Sequence, residues 1–194
     1  MTEQRLGLPV LVFSDLAALA AWFASQPSDA PGTWIKLAKK KAAKATVTKA
    51  EAIDAALCHG WIDGRLEKYD DAYWLIRFTP RRSGSKWSLR NRKRASELRE
   101  QGLLQPSGLA QIEAAIADGR WDRAYASASK AQAPSDLRSA LNKSPTAAAF
   151  FKTLSSRNRY AILYRIGVVK KTETRKRKIA EFVAMLERGE TIHG

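Results

Sequence analysis

The chain has almost no cysteine and almost no histidine: one Cys and two His in 194 residues. A single thiol excludes an internal disulfide and fits a reducing compartment. With so few soft ligands no metal-binding repeat forms, and neither a metal nor another cofactor is expected. Long apolar runs are missing too. None approaches the ~20 residues needed to span a bilayer, so no transmembrane segment is expected. The opening MTEQRLGLPVLVF has no charged leader followed by an apolar run and a small-residue cleavage site. It does not read as a secretory signal, and the expected location is cytoplasmic. Also lacking are a glycine-rich phosphate loop, a nucleophile elbow and a carboxylate pair placed for acid–base work. The chain is therefore not expected to be an enzyme.

Acids are the other scarcity. Asp plus Glu number 19 against 34 Lys plus Arg, a formal net charge of +15, and the pI is near 10.2. Such a surface attracts polyanions: nucleic acid, anionic lipid head groups or a phosphate-bearing ligand. A protein partner is the remaining class. Core material is plentiful, with 45% hydrophobic residues including six Trp, six Phe and five Tyr. That suits one large domain or two small ones.

Along the chain, a short apolar run at Val10–Phe13 leads into SDLAALAAWFASQ. The spacing of Leu16, Leu19, Ala20 and Phe23 predicts a helix, capped by Ser14. GTWIKLAKK reads as a strand entering an exposed basic loop at Lys39, Lys40, Lys41 and Lys44. TVTKAEAIDAALCHG is a second helix, with Thr48 as cap, Glu51 as capping-box partner and Gly60 as terminator. WIDGRLEKYDDAYWLIRFTPRR then changes period. Two extended pieces flank the YDDAY turn, and Tyr73, Leu75 and Arg77 alternate with Trp74, Ile76 and Phe78 until Pro80. Helices follow from a Ser88 cap to Gly102 and from Pro106 to Gly119. SASKAQAPSD, residues 127–136, reads as a linker. Four helices are predicted beyond it, over Ser135–Asn142, Pro145–Thr153, Ser156–Ile166 and Thr172–Arg188. The expected class is α+β: a small antiparallel sheet with trailing helices over residues 1–126, then an all-helical domain over 134–194.

Three stretches could carry chemistry. In ALCHGWIDG, Cys58 stands beside His59 with Asp63 close by, which invites a thiol nucleophile and its base. Adjacent helical side chains diverge by ~100°, however, and Gly60 ends the helix at once. The stretch reads as a helix-to-strand corner, with Asp63-Gly64 as a turn or bulge. His193 reads as part of a frayed chain end. In RFTPRRSGSKWSLRN, Arg77, Arg81, Arg82, Lys86 and Arg90 gather around a turn feeding a helix start, where backbone N–H groups and the dipole favour an anion. The alternative is that Trp87 packs as an anchor while the arginines are solvated or paired elsewhere. In VVKKTETRKRKIAEFVAMLERG, Lys170, Lys171, Arg175 and Arg177 crowd the start of an amphipathic helix, against the dipole. These nine basic positions are the anion-binding candidates, and folding is not expected to need Arg81, Arg82, Lys86, Arg175 or Arg177. Glu67, Asp70 and Asp71 read as hairpin residues.

ALCHGWIDGRLEKYDDAYWLIRFTPRRSGSKWSLRN, then GLLQPSGLAQIEAAIADGRWDRAY, then KKTETRKRKIAEFVAMLERG together resemble the YdeI/OmpD-associated, bacteriocin-protection family. The stretch from about Pro134 resembles its small helical domain, and the N-terminal part is similar to the α+β proteins around YjbR and frataxin. The resemblance implies protection against bacteriocins or cationic peptides, stress resistance and a link to an outer-membrane porin, with no established reaction. It also implies a periplasmic location, against the absence of an export signal. A chain at +15 repels a cationic peptide, so protection would act indirectly or by occupying an anionic target. Frataxin-like iron binding would need clustered carboxylates, where this chain is rich in Lys and Arg. The expected function is non-enzymatic anion binding or interaction of this protective type. The alternative is nucleic-acid binding through the same basic clusters.

Overall fold

The computed structural model describes residues 3–40, 42–127, 131–169 and 171–194. Lys41, Lys170 and linker residues 128–130 lie outside the described residues. The chain divides into two compact units, residues 1–85 with 91–121, and residues 86–90 with 122–194. The fold class is α+β as expected, with the helices of the C-terminal region following the sheet.

The first unit holds β1 (Gln4–Arg5), β2 (Leu8–Val12), α1 (Leu16–Ser25), β3 (Thr33–Ala38), α2 (Lys49–Cys58), β4 (Trp61–Lys68) and β5 (Tyr73–Pro80). α4 (Pro106–Ala117) and most of α3 (Leu89–Glu100) complete it. Its five strands lie in the order β1-β2-β3-β5-β4. All neighbours are antiparallel except β2 and β3, which pair parallel, Val10 facing Trp34. The parallel pair follows from α1, which carries the chain back across the sheet between them. One sheet face buries Leu8, Val10, Trp34 and Leu75, with Tyr69 packed on them. Against the other lies an aromatic cluster in which Phe23 of α1 meets Phe78 of β5 at 5.8 Å and Trp61 of β4 at 5.1 Å.

Local chemistry explains the boundaries. Asp15, not Ser14, caps α1, its carboxylate accepting from Ala18 N–H at 2.8 Å. A carboxylate is the better partner there because it also meets the positive end of the dipole. α2 carries the full capping box: Glu51 N–H donates to the Thr48 hydroxyl, and Thr48 N–H donates to the Glu51 carboxylate. The β4–β5 ladder shifts register between Asp63 and Leu66, so DG is a bulge. Asp70 closes the hairpin by accepting from the N–H groups of Ala72 and Tyr73, both at 2.7 Å. α3 is tied to α2 by Arg94, which donates to both carboxylate oxygens of Asp54 at 2.9 and 2.7 Å.

The second unit contains α5 (Ser135–Asn142), α6 (Pro145–Thr153), α7 (Ser156–Gly167) and α8 (Thr172–Glu187). Leu137, Leu141, Ile162, Ile166, Phe182 and Leu186 form its core. Residues 86–90 join it: Leu89 N–H donates to Tyr125 C=O at 2.8 Å, and Tyr125 N–H to Trp87 C=O at 3.0 Å. Trp87 is buried, 2% exposed. The chain end is tied down rather than frayed. Asn158, 8% exposed, donates to His193 C=O at 3.0 Å and accepts from His193 N–H at 2.8 Å. Among the described residues no helix is long and apolar enough to cross a membrane.

Candidate functional site

CHGWIDG sits at the junction of α2, β4, β5 and α4. Gly60 takes a φ of +77°, and a side chain there would press on the Ser107 carbonyl at 2.8 Å. Gly108, in the first turn of α4, lies so close to Cys58 C=O that a Cβ could not fit. The Cys58 carbonyl accepts from Gln105 N–H at 3.0 Å, and Gly60 C=O accepts from Arg81 N–H at 2.9 Å. The C-terminus of α2 therefore abuts the N-terminus of α4, and their opposed dipole ends partly offset one another.

Within this corner both Cys58 and His59 are half-buried. Burial, helped by Asp54, pushes the Cys58 thiol above its usual range, with Arg94 opposing. Nucleophilic cysteines need the opposite shift. Burial lowers His59 below the ordinary imidazole value, so the ring is neutral at pH 7. It stacks on Phe23 with centroids 6.1 Å apart and planes inclined by 20°. The corner reading of these residues agrees with that geometry.

The same corner encloses a cavity of about 380 Å³. Phe23, Trp61, Pro80 and His59 are among the residues that line it. Gln26, Gln105, Ser107 and Gln111 line it as polar residues. Arg81 also lines it and is 4% exposed. Arg81 is engaged with other groups of the protein. No Asp or Glu lines the cavity. Pattern reading of the sequence missed this site because its residues come from four separated segments. One local signal was present, a glycine in the first turn of QPSGLAQIEAAIADG.

The basic positions have separate fates. Arg77 is exposed on β5, opposite Trp34 of β3. Arg81 is buried, against the expectation that folding does not need its charge, because the chain after β5 turns it into the interior. Arg82 donates to the carbonyls of Asp29 and Ala30, both at 3.3 Å, and so holds the loop before β3. Lys86 lies over the Tyr164 ring at 4.8 Å and reaches its hydroxyl at 3.2 Å. Arg90 is exposed at the start of α3. Thus Arg82 holds a loop of the first unit, and Arg81 is buried.

In the second unit Lys171 is exposed as the N-cap residue of α8. Arg175 is a structural residue: it donates to both carboxylate oxygens of Asp136 at 2.6 and 3.1 Å and to Ile166 C=O at 2.7 Å. That corrects the expectation that folding has no use for it, since the contact joins α8 to α5 and to the end of α7. Arg177 is exposed, 3.6 Å from Glu181. Lys176, exposed beside it, pairs with Glu173 at 3.0 Å. Arg157 and Arg165 are exposed on α7. No group of His, Cys, Asp and Glu able to hold a metal ion occurs among the described residues.

Comparison with known proteins divides at the same place as the units. Residues 130–189 match the family model described as Bacteriocin-protection, YdeI or OmpD-Associated, which supports the resemblance over the helical unit. Residues 11–111 match a domain of unknown function, DUF8412, and not a YjbR or frataxin model. No curated protein matches the chain, and no solved structure does. Since the match over residues 11–111 spans more than half of the 194 residues, the chain belongs to the DUF8412 family, and it carries at residues 130–189 a stretch similar to the bacteriocin-protection, YdeI or OmpD-associated family.

Proposed function

We propose that the protein is a non-enzymatic binding protein of the bacteriocin-protection type, which confers stress resistance by occupying an anionic surface. The family-level role comes from the match over residues 130–189. The observation that carries the anionic target is the exposed set Arg157, Arg165, Lys171, Lys176 and Arg177 on α7 and α8 of that same unit. Surface pairs such as Lys176–Glu173 contribute at most about 1 kcal/mol, so these cations exchange partners readily. A chain of +15 repels cationic peptides, which favours competition for their target over their capture. The raised thiol pKa of Cys58 supports the non-enzymatic reading. A cytoplasmic location, which suits its lone thiol, and a likeness of the first unit to YjbR- and frataxin-like α+β proteins belong to the same proposal.

Co-sedimentation with vesicles containing phosphatidylglycerol tests it against pure phosphatidylcholine. Binding to the anionic vesicles alone is expected, weakening as salt shortens the ~8 Å Debye length of 0.15 M solutions. Lys171→Glu, Lys176→Glu and Arg177→Glu together should abolish binding while leaving thermal unfolding unchanged. Equal binding by this variant overturns the assignment. A nucleic-acid reading stands second, favoured by the basic start of α8 after the short turn from α7, an order that can lay a helix in a major groove. Duplex DNA binding with a log–log salt slope of about −0.9 per neutralised phosphate would favour it.

A further inference from the structure

Charge is shared unevenly along this basic chain. Residues 6–35 and 100–119 contain five of its 19 acids and none of its 34 bases. They include α1, which has no charged residue, and α4, whose one charged residue is Glu113. The outer face of α4 is apolar as well as bare of cations. Leu109, Glu113 and Ile116 fall at i, i+4 and i+7 and so share one face, with Leu109 37% and Ile116 47% exposed. Ala110, Ala114 and Ala117 are exposed alongside, and Leu103, just before the helix, is 50% exposed. On α1 the exposed Ala17, Ala21 and Ala24 repeat the same spacing. The two helices meet at one end, where Ala24 of α1 and Pro106 of α4 line the same cavity. An exposed apolar face depleted of charge has the composition of an interface core, and its alanines let a partner helix approach closely.

The one charge on that face selects the partner. Glu113 is exposed midway between Leu109 and Ile116, with no ion pair among the described residues. Two copies packed through α4 about a two-fold axis would set Glu113 against Glu113, and like charges so placed repel. A helix with Lys or Arg beside an apolar stripe meets both the aliphatic side chains and the acid. The net charge of +15 repels such a helix at a distance, but that field is screened beyond ~8 Å at ~0.15 M salt. At contact, α1 and α4 oppose it with no Lys or Arg of their own. We propose that the exposed face of α4, flanked by the uncharged α1, docks a basic amphipathic helix of a partner protein. Its apolar stripe lies on Leu109 and Ile116 and its cations toward Glu113, in the helix-on-groove mode of recognition. This surface is separate from the cations of α7 and α8 and does not rest on their reading.

Fluorescence anisotropy with the full chain at ~0.15 M salt tests the proposal. The probe is a labelled peptide of about 18 residues, Leu and Lys arranged to give one apolar stripe. One matched probe carries Glu in place of every Lys, and another scrambles the Leu so that no stripe forms. The Leu/Lys helix should bind one-to-one with a Kd below about 100 μM, and both matched probes at least about tenfold more weakly. Glu113→Lys should weaken the Leu/Lys helix about tenfold, and Leu109→Gln together with Ile116→Gln by at least as much. All three positions are exposed, and thermal unfolding checks that the variants are folded. Lys171→Glu, Lys176→Glu and Arg177→Glu together should not weaken the peptide, which separates this docking from vesicle binding. No binding of the Leu/Lys helix overturns the proposal, as does equal binding of the Leu/Glu helix or of the scrambled one. Unaltered binding by folded Glu113→Lys and by the folded double variant also overturns it. A dimer in sedimentation equilibrium that the double variant dissociates would give the face to a second copy, and overturns it too.

Discussion

At Cys58 the thiol loses water on one side and gains Asp54 as a negative neighbour, and both disfavour the thiolate. Alkylation by iodoacetamide should therefore rise with pH later than for a free thiol, and a midpoint below pH 8 would contradict this account. Cys58→Ala should cost no more than about 1 kcal/mol in urea unfolding. His59 titrates in the other direction, held below 6.5 by burial. The unfolded chain takes up its proton as pH falls through about 6.5, while the folded chain resists. This contribution to stability is thus complete above pH 6.5 and declines as pH falls toward the folded value. His59→Gln should remove that part of the acid slope in thermal unfolding followed from pH 7 to pH 5. The harshest single change at the corner is Gly108→Ala, whose methyl group meets the Cys58 carbonyl. It should cost about 2 kcal/mol or more. Gly60 was legible as a helix terminator because the signal is local. Gly108 was not, since what constrains it is a carbonyl fifty positions earlier in the chain.

Whole elements were read well where one residue's own neighbours decide the outcome. The capping box of α2, the bulge after Asp63 and the bounds of α5 and α6 all depend on side chains a few positions apart. The charge run of α8 was read less well. Arg175 and Arg177 look alike in TETRKRK, and only the approach of Asp136 from α5 makes the first a structural residue and leaves the second at the surface. Arg175→Ala should destabilise the helical unit by about 1 kcal/mol, allowing for an Asp136 carboxylate left 43% exposed. Its hydrogen bonds to Arg175 hold Asp136 below its ordinary value of 3.8. The pair's contribution is therefore present above pH 4 and lost as pH falls through the lowered value. Unfolding curves of the wild type and Arg175→Ala should converge near pH 2. A gap that persists there would mean that packing of the arginine stem, not the ion pair, is what counts.

Over the whole molecule, +15 is a self-repulsion as well as an attraction for anions. Raising salt from ~0.05 to ~0.5 M shortens the Debye length severalfold and should raise the melting temperature, most clearly with chloride. A fall in melting temperature would place the balance of charge in stabilising pairs such as Arg94–Asp54. The division into two units has a consequence in time. The chain leaves the ribosome at ~5–20 residues per second, so residues 86–90 emerge seconds before Tyr125 and Tyr164, which receive them. The main-chain hydrogen bonds of Trp87 and Leu89 to Tyr125 therefore wait out that interval, and the nascent chain has a hydrophobic segment on offer to chaperones. A gene fragment that starts at residue 122 never supplies this segment at all, and in the helical unit made from it the N–H and C=O of Tyr125 would lose the partners that Trp87 and Leu89 give them.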